Sequence, residues 1–210
     1  MTELSPREKR QQRTYQAILD AARQIITAKG VEALSMRGLA RAIEYSPAAL
    51  YEYFGSKEEI IQAVVEQGFE RFTGYLDRVD KALPAAQYVT ELGMAYINFA
   101  VQNPDFFLLM FTTAPLAGVY SDMASSTEAI AHLKAEPSFS ILLRGVERAI
   151  AESVAKTGAD YGAFEIAYAL WTQVHGMAML QVTNLRHMPY DFEQINRLSL
   201  HIMYVGLAAG

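Results

Sequence analysis

The sequence predicts an all-α protein, and three patterns support that fold class. Apolar residues recur at intervals of three and four along much of the chain, which is the spacing of one face of a helix. Ser, Pro and Gly lie where helices are expected to begin and end. No long stretch alternates apolar and polar residues with the two-residue period of a strand.

The first two predicted helices lie before residue 44. Ser35 is a favourable N-cap, and the apolar residues that follow it at helical spacing predict a short second helix from about Met36 to Ile43. An earlier apolar stripe predicts the first helix, which Gly30 ends. This stripe consists of Tyr15, Ile18, Leu19, Ala22, Ile25 and Ile26.

A tight turn of Glu44 and Tyr45 is predicted to lead into a third helix. Ser46 supplies a capping side chain, and the missing N–H of Pro47 has no cost at the first helical position. Gly55 is expected to end this helix as the residue after its C-cap. Two short helices joined by a tight turn are typical of a helix-turn-helix, the motif that reads DNA in the major groove.

A longer fourth helix is predicted over residues 57–81. It begins with the capping box Ser56-Lys57-Glu58-Glu59, whose acidic residues lie at the positive end of the helix dipole. The segment from Thr113 to Ser126 contains proline, glycine and several Ser and Thr residues, which predicts a loop. The remaining helices are predicted over residues 85–101, 103–111, 137–156, 161–184 and 191–207.

Charge is distributed unevenly along the chain, whose net charge is −5. Up to Lys57 there are nine Lys and Arg against six Asp and Glu, and beyond it nine against seventeen. The N-terminal part can therefore approach phosphate groups, whereas the acidic remainder cannot. Beside a helix-turn-helix we expect phosphate contacts from the basic cluster near the N-terminus, although a solvated terminus is the alternative. This cluster consists of Arg7, Lys9, Arg10 and Arg13.

Composition excludes several kinds of site. The chain has no cysteine, which excludes disulfides, zinc–thiolate sites and cysteine nucleophiles. It has no Gly-rich phosphate loop, G-x-S-x-G elbow or H-E-x-x-H motif, so we expect neither an enzyme nor a cofactor or metal. No signal-peptide core and no apolar run of transmembrane length occur, so we expect a cytoplasmic protein without a membrane partner.

The region from Gly30 to Ile60 resembles the DNA-binding domain of the tetracycline-repressor (TetR) family. The family usually has Gly in the turn, where this chain has Glu44. A non-Gly residue at positive φ costs roughly 1 kcal/mol, so we expect either a strained Glu44 or a locally different turn. The matching positions are Ser35, Arg37, Ala40, Ser46, Leu50-Tyr51, Tyr53-Phe54 and Ser56-Lys57-Glu58-Glu59.

A second resemblance lies in the C-terminal half. Trp171-x-x-x-His175-Gly176 is similar to the WHG motif that names one subgroup of TetR-family C-terminal domains. The two resemblances imply a helix-turn-helix domain, residues 1–56, joined to a larger helical domain for effector binding and dimerisation, residues 57–210. They also imply a homodimeric repressor that binds a palindromic operator in double-stranded DNA and is released by a small-molecule effector of unknown identity.

The predicted DNA contacts combine backbone anchoring with little base readout. The third helix (46–54) has no Arg, Lys, Asn or Gln, the side chains that read guanine and adenine bidentately. Base-specific hydrogen bonding is therefore assigned to Arg37, and groove shape contributes the rest. The family pattern implies phosphate anchoring by Tyr51, Tyr53 and Lys57, although Tyr53 has packing against the first helix as its alternative. The full set, with two alanines that can touch thymine methyls, is Arg13, Arg37, Ser46, Ala48, Ala49, Tyr51, Tyr53 and Lys57.

The candidate effector-binding residues are mostly aromatic side chains of the later helices. For each of them ordinary core packing is the alternative, and His175 is expected to be a hydrogen-bonded core histidine rather than a metal ligand. An apolar or aromatic effector of modest size is the natural complement to such a set. The candidates are Tyr96, Phe99, Phe106, Phe107, Met110, Phe111, Trp171, His175 and Met179.

The last predicted helix contains an apolar seam with spacings of three and four residues, which suits helices that pack nearly parallel. Burial within one chain explains this seam, and so does pairing with a second subunit through the last two helices, as the resemblance implies. One alternative function stays open, namely an all-helical interaction protein whose helix-turn-helix does not engage DNA. The seam consists of Ile195, Leu198, Ile202 and Val205.

Overall fold

The computed structural model of the chain describes residues 5–112, 123–152, 154–158 and 160–209. This part contains α-helices, a short 3-10 turn at Val31–Ala33 and no strand, which confirms the all-α fold class. None of its helices has the length and apolarity needed to cross a bilayer. The helices are α1 (Pro6–Lys29), α2 (Met36–Ala42), α3 (Pro47–Tyr51), α4 (Lys57–Asp77), α5 (Ala85–Gln102), α6 (Pro104–Thr112), α7 (Ser126–Ala135), α8 (Pro137–Ala151), α9 (Ala163–Val182) and α10 (Glu193–Ala209).

The chain forms two compact units. The first comprises Met1–Gly68 and Asp105–Ser121, and the second comprises Phe69–Pro104 and Asp122–Gly210. Helix α4 therefore begins in the first unit and ends in the second. This division into compact units does not test the predicted boundary between a DNA-binding domain, residues 1–56, and an effector-binding domain, residues 57–210. That boundary stays a prediction.

In the first unit, α1 contacts α2, and α2 contacts α3. The predicted inward face of α1 is largely buried, including Ile18 and Ala22, which are fully buried. Gly30 ends α1 as predicted, because its φ of 82° is open to glycine and its N–H donates to the carbonyl of Ile26. The helix begins earlier than the stripe indicated, since Ser5 and Glu8 form a capping box before it.

Helix α6 also belongs to the first unit, where it packs closely against α4. A Cβ at Gly68 would lie 2.7 Å from Met110 Sδ and 3.2 Å from Phe106 Cδ1, so glycine permits this approach. Arg23 of α1 donates to Asp105 Oδ2 at 3.1 Å, and its guanidinium carbon lies 4.9 Å from the centre of the Phe106 ring. The beginning of α6 is thereby connected to α1 as well.

In the second unit, α5 is the central helix and contacts α8, α9 and α10. Gly93 of α5 allows this packing, because a Cβ there would lie 3.0 Å from Leu200 Cδ1 and 3.2 Å from Val174 Cγ1. A buried cluster between α8 and α9 completes the core. It consists of Phe139, Val146, Ile166, Ala167 and Leu170.

Three predicted helix ends were wrong, and one helix was missed. The helix predicted over residues 137–156 ends at Ala151, as α8. Helix α3 ends at Tyr51, and Gly55 is not the residue after its C-cap, because Gly55 instead donates its N–H to the Glu59 carboxylate at 2.8 Å. Helix α4 ends at Asp77 rather than near residue 81. Helix α7 was missed; its residues are exposed or half-buried, so they show no clear apolar stripe, and the predicted loop ends before Ser126. Residues 113–122 of that loop lie outside the described part of the chain.

Candidate nucleic-acid interface and effector region

The turn between α2 and α3 is closed by backbone hydrogen bonds. The Tyr45 N–H donates to the Ala40 carbonyl at 2.9 Å, and the Glu44 N–H donates to the Arg41 carbonyl at 3.4 Å. Glu44 has a φ of 59°, in the left-handed region that disfavours residues with a side chain. Of the two expectations for this turn, the strained Glu44 is the one that the structure shows.

The caps predicted for the two short helices are both present. Ser35 Oγ accepts from the Gly38 N–H at 3.2 Å, and Ser46 Oγ accepts from the Ala49 N–H at 3.1 Å. Within α3, Leu50 is fully buried, while the side chain of Tyr51 is 57% exposed. These contacts fix which face of α3 is left for a partner.

Tyr45 positions the turn, a role that sequence reasoning missed. Its hydroxyl lies 3.1 Å from the hydroxyl of Thr14, a buried residue of α1. Phe54, which follows α3, stacks on Tyr15 of α1 with ring centres 5.1 Å apart. The two contacts connect both ends of α3 to α1. The partners are separated by about thirty or more positions in sequence, so no local pattern could have paired them.

The first turn of α4 offers a polar, partly exposed helix N-terminus. Ser56 Oγ accepts from the Glu59 N–H at 3.2 Å, as the predicted capping box requires. The Glu59 carboxylate, however, accepts from Gly55 rather than from Ser56. Lys57 Nζ lies 4.0 Å from Glu58 Oε1 with 35% of its side chain exposed. An exposed pair at that distance contributes little stability, so it competes weakly with a phosphate.

All eight predicted DNA contacts belong to the first unit. The structure brings Ser46, Ala48, Ala49 and Tyr51 together at α3, and it places Arg37 in the first turn of α2. Their role in DNA binding stays a prediction. The exposed members are Arg13, Arg37, Ser46, Ala48 and Tyr51, and the half-buried members are Ala49, Tyr53 and Lys57.

The candidate effector residues belong to both units, four to the first and five to the second. Phe99 is fully buried and packs on Phe72 and Tyr75, with ring centres 5.0 and 5.4 Å apart. That environment is typical of core packing. The candidates of the first unit are Phe106, Phe107, Met110 and Phe111, and those of the second are Tyr96, Phe99, Trp171, His175 and Met179.

Tyr96 and His175 form a hydrogen-bonded pair inside the second unit. The Tyr96 hydroxyl lies 2.8 Å from His175 Nδ1. Burial raises the pKa of Tyr96, and a hydrogen bond from Trp171 partly opposes that effect. Burial also lowers the pKa of His175. Both groups are therefore neutral near pH 7. His175 is hydrogen-bonded, as expected, and it is half-buried.

A cavity of about 30 Å³ lies elsewhere in the second unit. None of the nine candidate effector residues is among those that line it. Its walls are Ala, Val and Leu side chains together with Thr90, and its α5 residues are half-buried. Nothing in the sequence distinguishes these positions from other apolar helix positions. They are contributed by Ala86, Val89 and Thr90 of α5, Val146 and Ala149 of α8, and Ala155, Leu170 and Leu200.

The apolar seam of α10 is exposed in the single chain. The solvent-exposed fractions of its side chains are 44% for Ile195, 53% for Leu198, 63% for Ile202 and 50% for Val205. Burial within one chain, the simpler explanation of this pattern, is therefore wrong. The neighbouring helix in sequence, α9, also exposes large apolar side chains, at Tyr168 and Leu180.

The capped α2 and α3, their closed turn and the polar N-terminus of α4 define the chain as a helix-turn-helix DNA-binding regulator. Comparison with known families agrees. The model of bacterial regulatory proteins of the tetR family matches residues 18–64, and that of the tetracyclin repressor-like C-terminal domain matches residues 89–203. The chain belongs to the tetR family, whose members are DNA-binding transcriptional regulators, and the resemblance drawn from the sequence is confirmed.

Individual relatives are similar over shorter stretches. The transcriptional regulator UidR of Escherichia coli K12 is 42% identical over 60 residues, which are 29% of this chain and 31% of UidR. The transcriptional repressor KstR of Mycolicibacterium smegmatis is 29% identical over 128 residues, 60% of each chain. The present chain thus matches about a third of UidR and less than two thirds of KstR.

Solved structures share the fold over most of the chain. A Rhodococcus sp. RHA1 protein of unknown function has a TM-score of 0.71 and 25% identity, covering 92% of this chain and 95% of its own. The TetR family transcriptional regulator PfmR of Thermus thermophilus has a TM-score of 0.66 and 22% identity, covering 90% and 98%. The likeness to PfmR concerns the fold alone.

Proposed function

We propose that this protein is a homodimeric repressor that binds a palindromic operator through its first unit. A small, largely apolar effector bound in the second unit releases it from DNA. The observation that carries the proposal is the exposed seam of α10, because a palindrome is read by a protein with matching two-fold symmetry.

A row of exposed apolar side chains at helical spacing favours pairing with another helix. Single exposed apolar residues are ordinary on a protein surface, whereas a contiguous apolar strip marks an interaction site. A two-fold axis pairs the same surface of both subunits. On α9, Gly176 lies between Thr172 and Leu180 on an exposed face, and a Cβ there would meet nothing within 4 Å. This face would allow a partner helix to approach closely.

The first unit supplies the chemistry for DNA. On the exposed side of α3, Ala48 would contact thymine methyl groups in the major groove, and Tyr51 would contact the phosphate backbone. Arg37 would make the base-specific hydrogen bonds. Lys57 at the start of α4 combines an ammonium group with helix amides, a combination that holds phosphate. Half-sites about 34–36 Å apart would place both α3 helices in the groove.

Sedimentation analysis of Ile202→Glu tests the dimer. A carboxylate in the centre of the seam would be buried without a partner, so we expect a monomer and loss of operator binding. Ile130→Glu is the matched control, because Ile130 is 38% exposed on α7 and outside the seam. A dimer that persists in Ile202→Glu as it does in Ile130→Glu would show that the seam does not join the subunits.

Binding to palindromic fragments from the region upstream of its own gene tests the reading of DNA. Fluorescence anisotropy over a salt titration should show saturable binding that weakens as salt rises. Two chains per palindrome are expected. If no fragment binds even at low salt, the helix-turn-helix is not used on DNA, and the alternative of an all-helical interaction protein is preferred.

A further inference from the structure

We propose that the exposed face of α3 recognises the 5-methyl group of pyrimidines in the major groove. Thymine carries this group in every A·T pair, and 5-methylcytosine carries it in a G·C pair. The operator is then chosen by its thymines, and a methylated cytosine can replace a thymine that α3 contacts. The inference deepens the proposed function and rests on it, since it assigns the chemistry by which the bound DNA is selected.

The exposed face of α3 begins with hydrocarbon. Successive residues of a helix are rotated by about 100°, so Pro47, Ala48 and Tyr51 share one sector of about 100°. All three are exposed, whereas Leu50 faces the core and is fully buried. The side chains of Pro47 and Ala48 consist only of methylene and methyl groups. The part of α3 that enters a groove first therefore offers apolar contact.

Ala49 does not belong to this face. It is half-buried, and its side chain is rotated by about 200° from that of Pro47. Its N–H donates to Ser46 Oγ at 3.1 Å, so the Ser46 hydroxyl is engaged in the helix cap. Of the two alanines that were candidates for contact with thymine, the structure therefore favours Ala48.

The polar side chains beside this face do not suit guanine. Glu52 follows Ala48 by one turn, Glu44 lies in the turn before α3, and both are exposed. A carboxylate accepts hydrogen bonds, and guanine presents only acceptors in the major groove. Residues 46–54 also contain no Arg, Lys, Asn or Gln. The bidentate donors that select guanine are therefore missing from α3.

A methyl group on the base is the natural complement of this face. Burial of one such group raises affinity by about fourfold. Uracil and cytosine lack the methyl group, whereas thymine and 5-methylcytosine carry it at the same ring position. A T·A pair and a methylated C·G pair both present an amino donor as well, which the Glu52 carboxylate can accept. Both pairs thus match the hydrocarbon of Ala48 and the acceptor beside it.

Deoxyuridine in place of thymidine tests the recognition of methyl groups, because it removes one methyl group and keeps every hydrogen-bonding group of the pair. A bound palindrome from upstream of the gene is synthesised with this replacement at one symmetric pair of positions at a time. Fluorescence anisotropy should show an affinity loss of about fifteenfold, fourfold in each half-site, at one or two positions per half-site. The other thymines are internal controls and should show no loss. If no position responds, groove shape or Arg37 selects the DNA, and the inference is wrong.

Methylated cytosine separates the methyl group from the rest of the base pair. At a responsive position the T·A pair is replaced by C·G or by 5-methylcytosine·G, two pairs that differ only in that group. The methylated duplex should bind about fifteenfold more tightly than the unmethylated duplex. Equal affinities would overturn the inference, because a methyl group that α3 recognises must act on either pyrimidine.

Substitution of Ala48 assigns the recognition to α3. In Ala48→Gly, the ratio of thymidine to deoxyuridine affinity should fall from about fifteen to near one at one responsive position. Both duplexes are measured on the same protein, so a smaller folded fraction, which glycine in a helix can cause, cancels in the ratio. Ala28→Gly is the matched control, because Ala28 is exposed near the end of α1 and loses the same methyl group. It should keep the ratio.

Ala48→Ser keeps this test decisive even if Ala48→Gly does not fold. It places a hydroxyl beside the methyl group of the base and should also abolish the ratio. A ratio that persists in Ala48→Ser as it does in Ala28→Gly would refute the assignment to α3.

The unmodified palindrome distinguishes the inference from the proposed function. If it is not bound even at low salt, the proposed function fails, and the inference fails with it. If it is bound and every deoxyuridine version is bound equally well, the inference alone is refuted.

Discussion

Replacement of Glu44 by glycine should stabilise the first unit, because Glu44 has a φ of 59° in the turn between α2 and α3. A left-handed conformation costs a residue with a side chain roughly 1–2 kcal/mol, and glycine adopts it without that cost. Glycine loses more backbone freedom on folding, which costs about 0.4–1 kcal/mol. The midpoints of these two ranges predict a net gain of about 0.8 kcal/mol in the free energy of unfolding.

Urea unfolding followed by far-ultraviolet circular dichroism measures this gain. The series Glu44→Gly, Glu44→Asn, Glu44→Ala and Glu44→Val should decrease in stability in that order. Asn tolerates the left-handed region better than Ala does, and the branched Val tolerates it least. In a chain of this size the gain for glycine corresponds to a rise of about 1–4 °C in Tm.

The comparison of Gly with Ala is decisive, since both remove the Glu44 side chain and its charge. If the alanine variant is as stable as the glycine variant, the turn is not strained at this residue. Glu44→Gln separates the effect on DNA from the effect on stability, because it removes the charge and keeps the strain. A stronger affinity for DNA in both Gly and Gln variants would then be electrostatic in origin.

Three further outcomes are expected. Lys57→Ala should weaken binding to every DNA sequence and reduce the slope of log affinity against log salt by about 0.9, whereas Lys29→Ala, exposed at the end of α1, should leave the slope unchanged. Tyr45→Phe should lower the free energy of unfolding by about 1 kcal/mol in urea, because the buried Thr14 hydroxyl loses its partner. Because burial lowers the pKa of His175, protonation favours the unfolded chain, and the protein loses stability as the pH falls below 6.5, the ordinary pKa of histidine. His175→Asn should therefore reduce the difference in the free energy of unfolding between pH 7.5 and pH 5.5.

Features with a local physical cause were predictable from the sequence. Ser35 and Ser46 are caps because their hydroxyls reach amides three residues ahead, and Gly30 ends α1 because of its own backbone freedom. The family resemblance rests on such local signals at fixed spacing. The fold class, the helix-turn-helix and the residues at which α2 and α3 begin could therefore be predicted.

Features that depend on distant partners were not predictable. Phe54, at the end of the helix-turn-helix, stacks on Tyr15 of α1. The pairing of Thr14 with Tyr45 joins residues from different helices. The walls of the cavity, such as Ala149, resemble the rest of the core in sequence, and only the packing of four elements leaves a space between them. The aromatic candidates were chosen by residue type, which does not reveal the unit to which they belong.

The close approach of α6 to Gly68 limits how the regulator could be divided or recombined. Met110 and Phe106 cover Gly68, and Asp105 pairs with Arg23, although these residues are separated by dozens of positions in sequence. A fragment that stops after α4 would lack this cover and present bare apolar surface to water. A chimera that grafts this reading head onto another effector-binding domain should therefore also transfer residues 105–112, as a second, discontinuous piece.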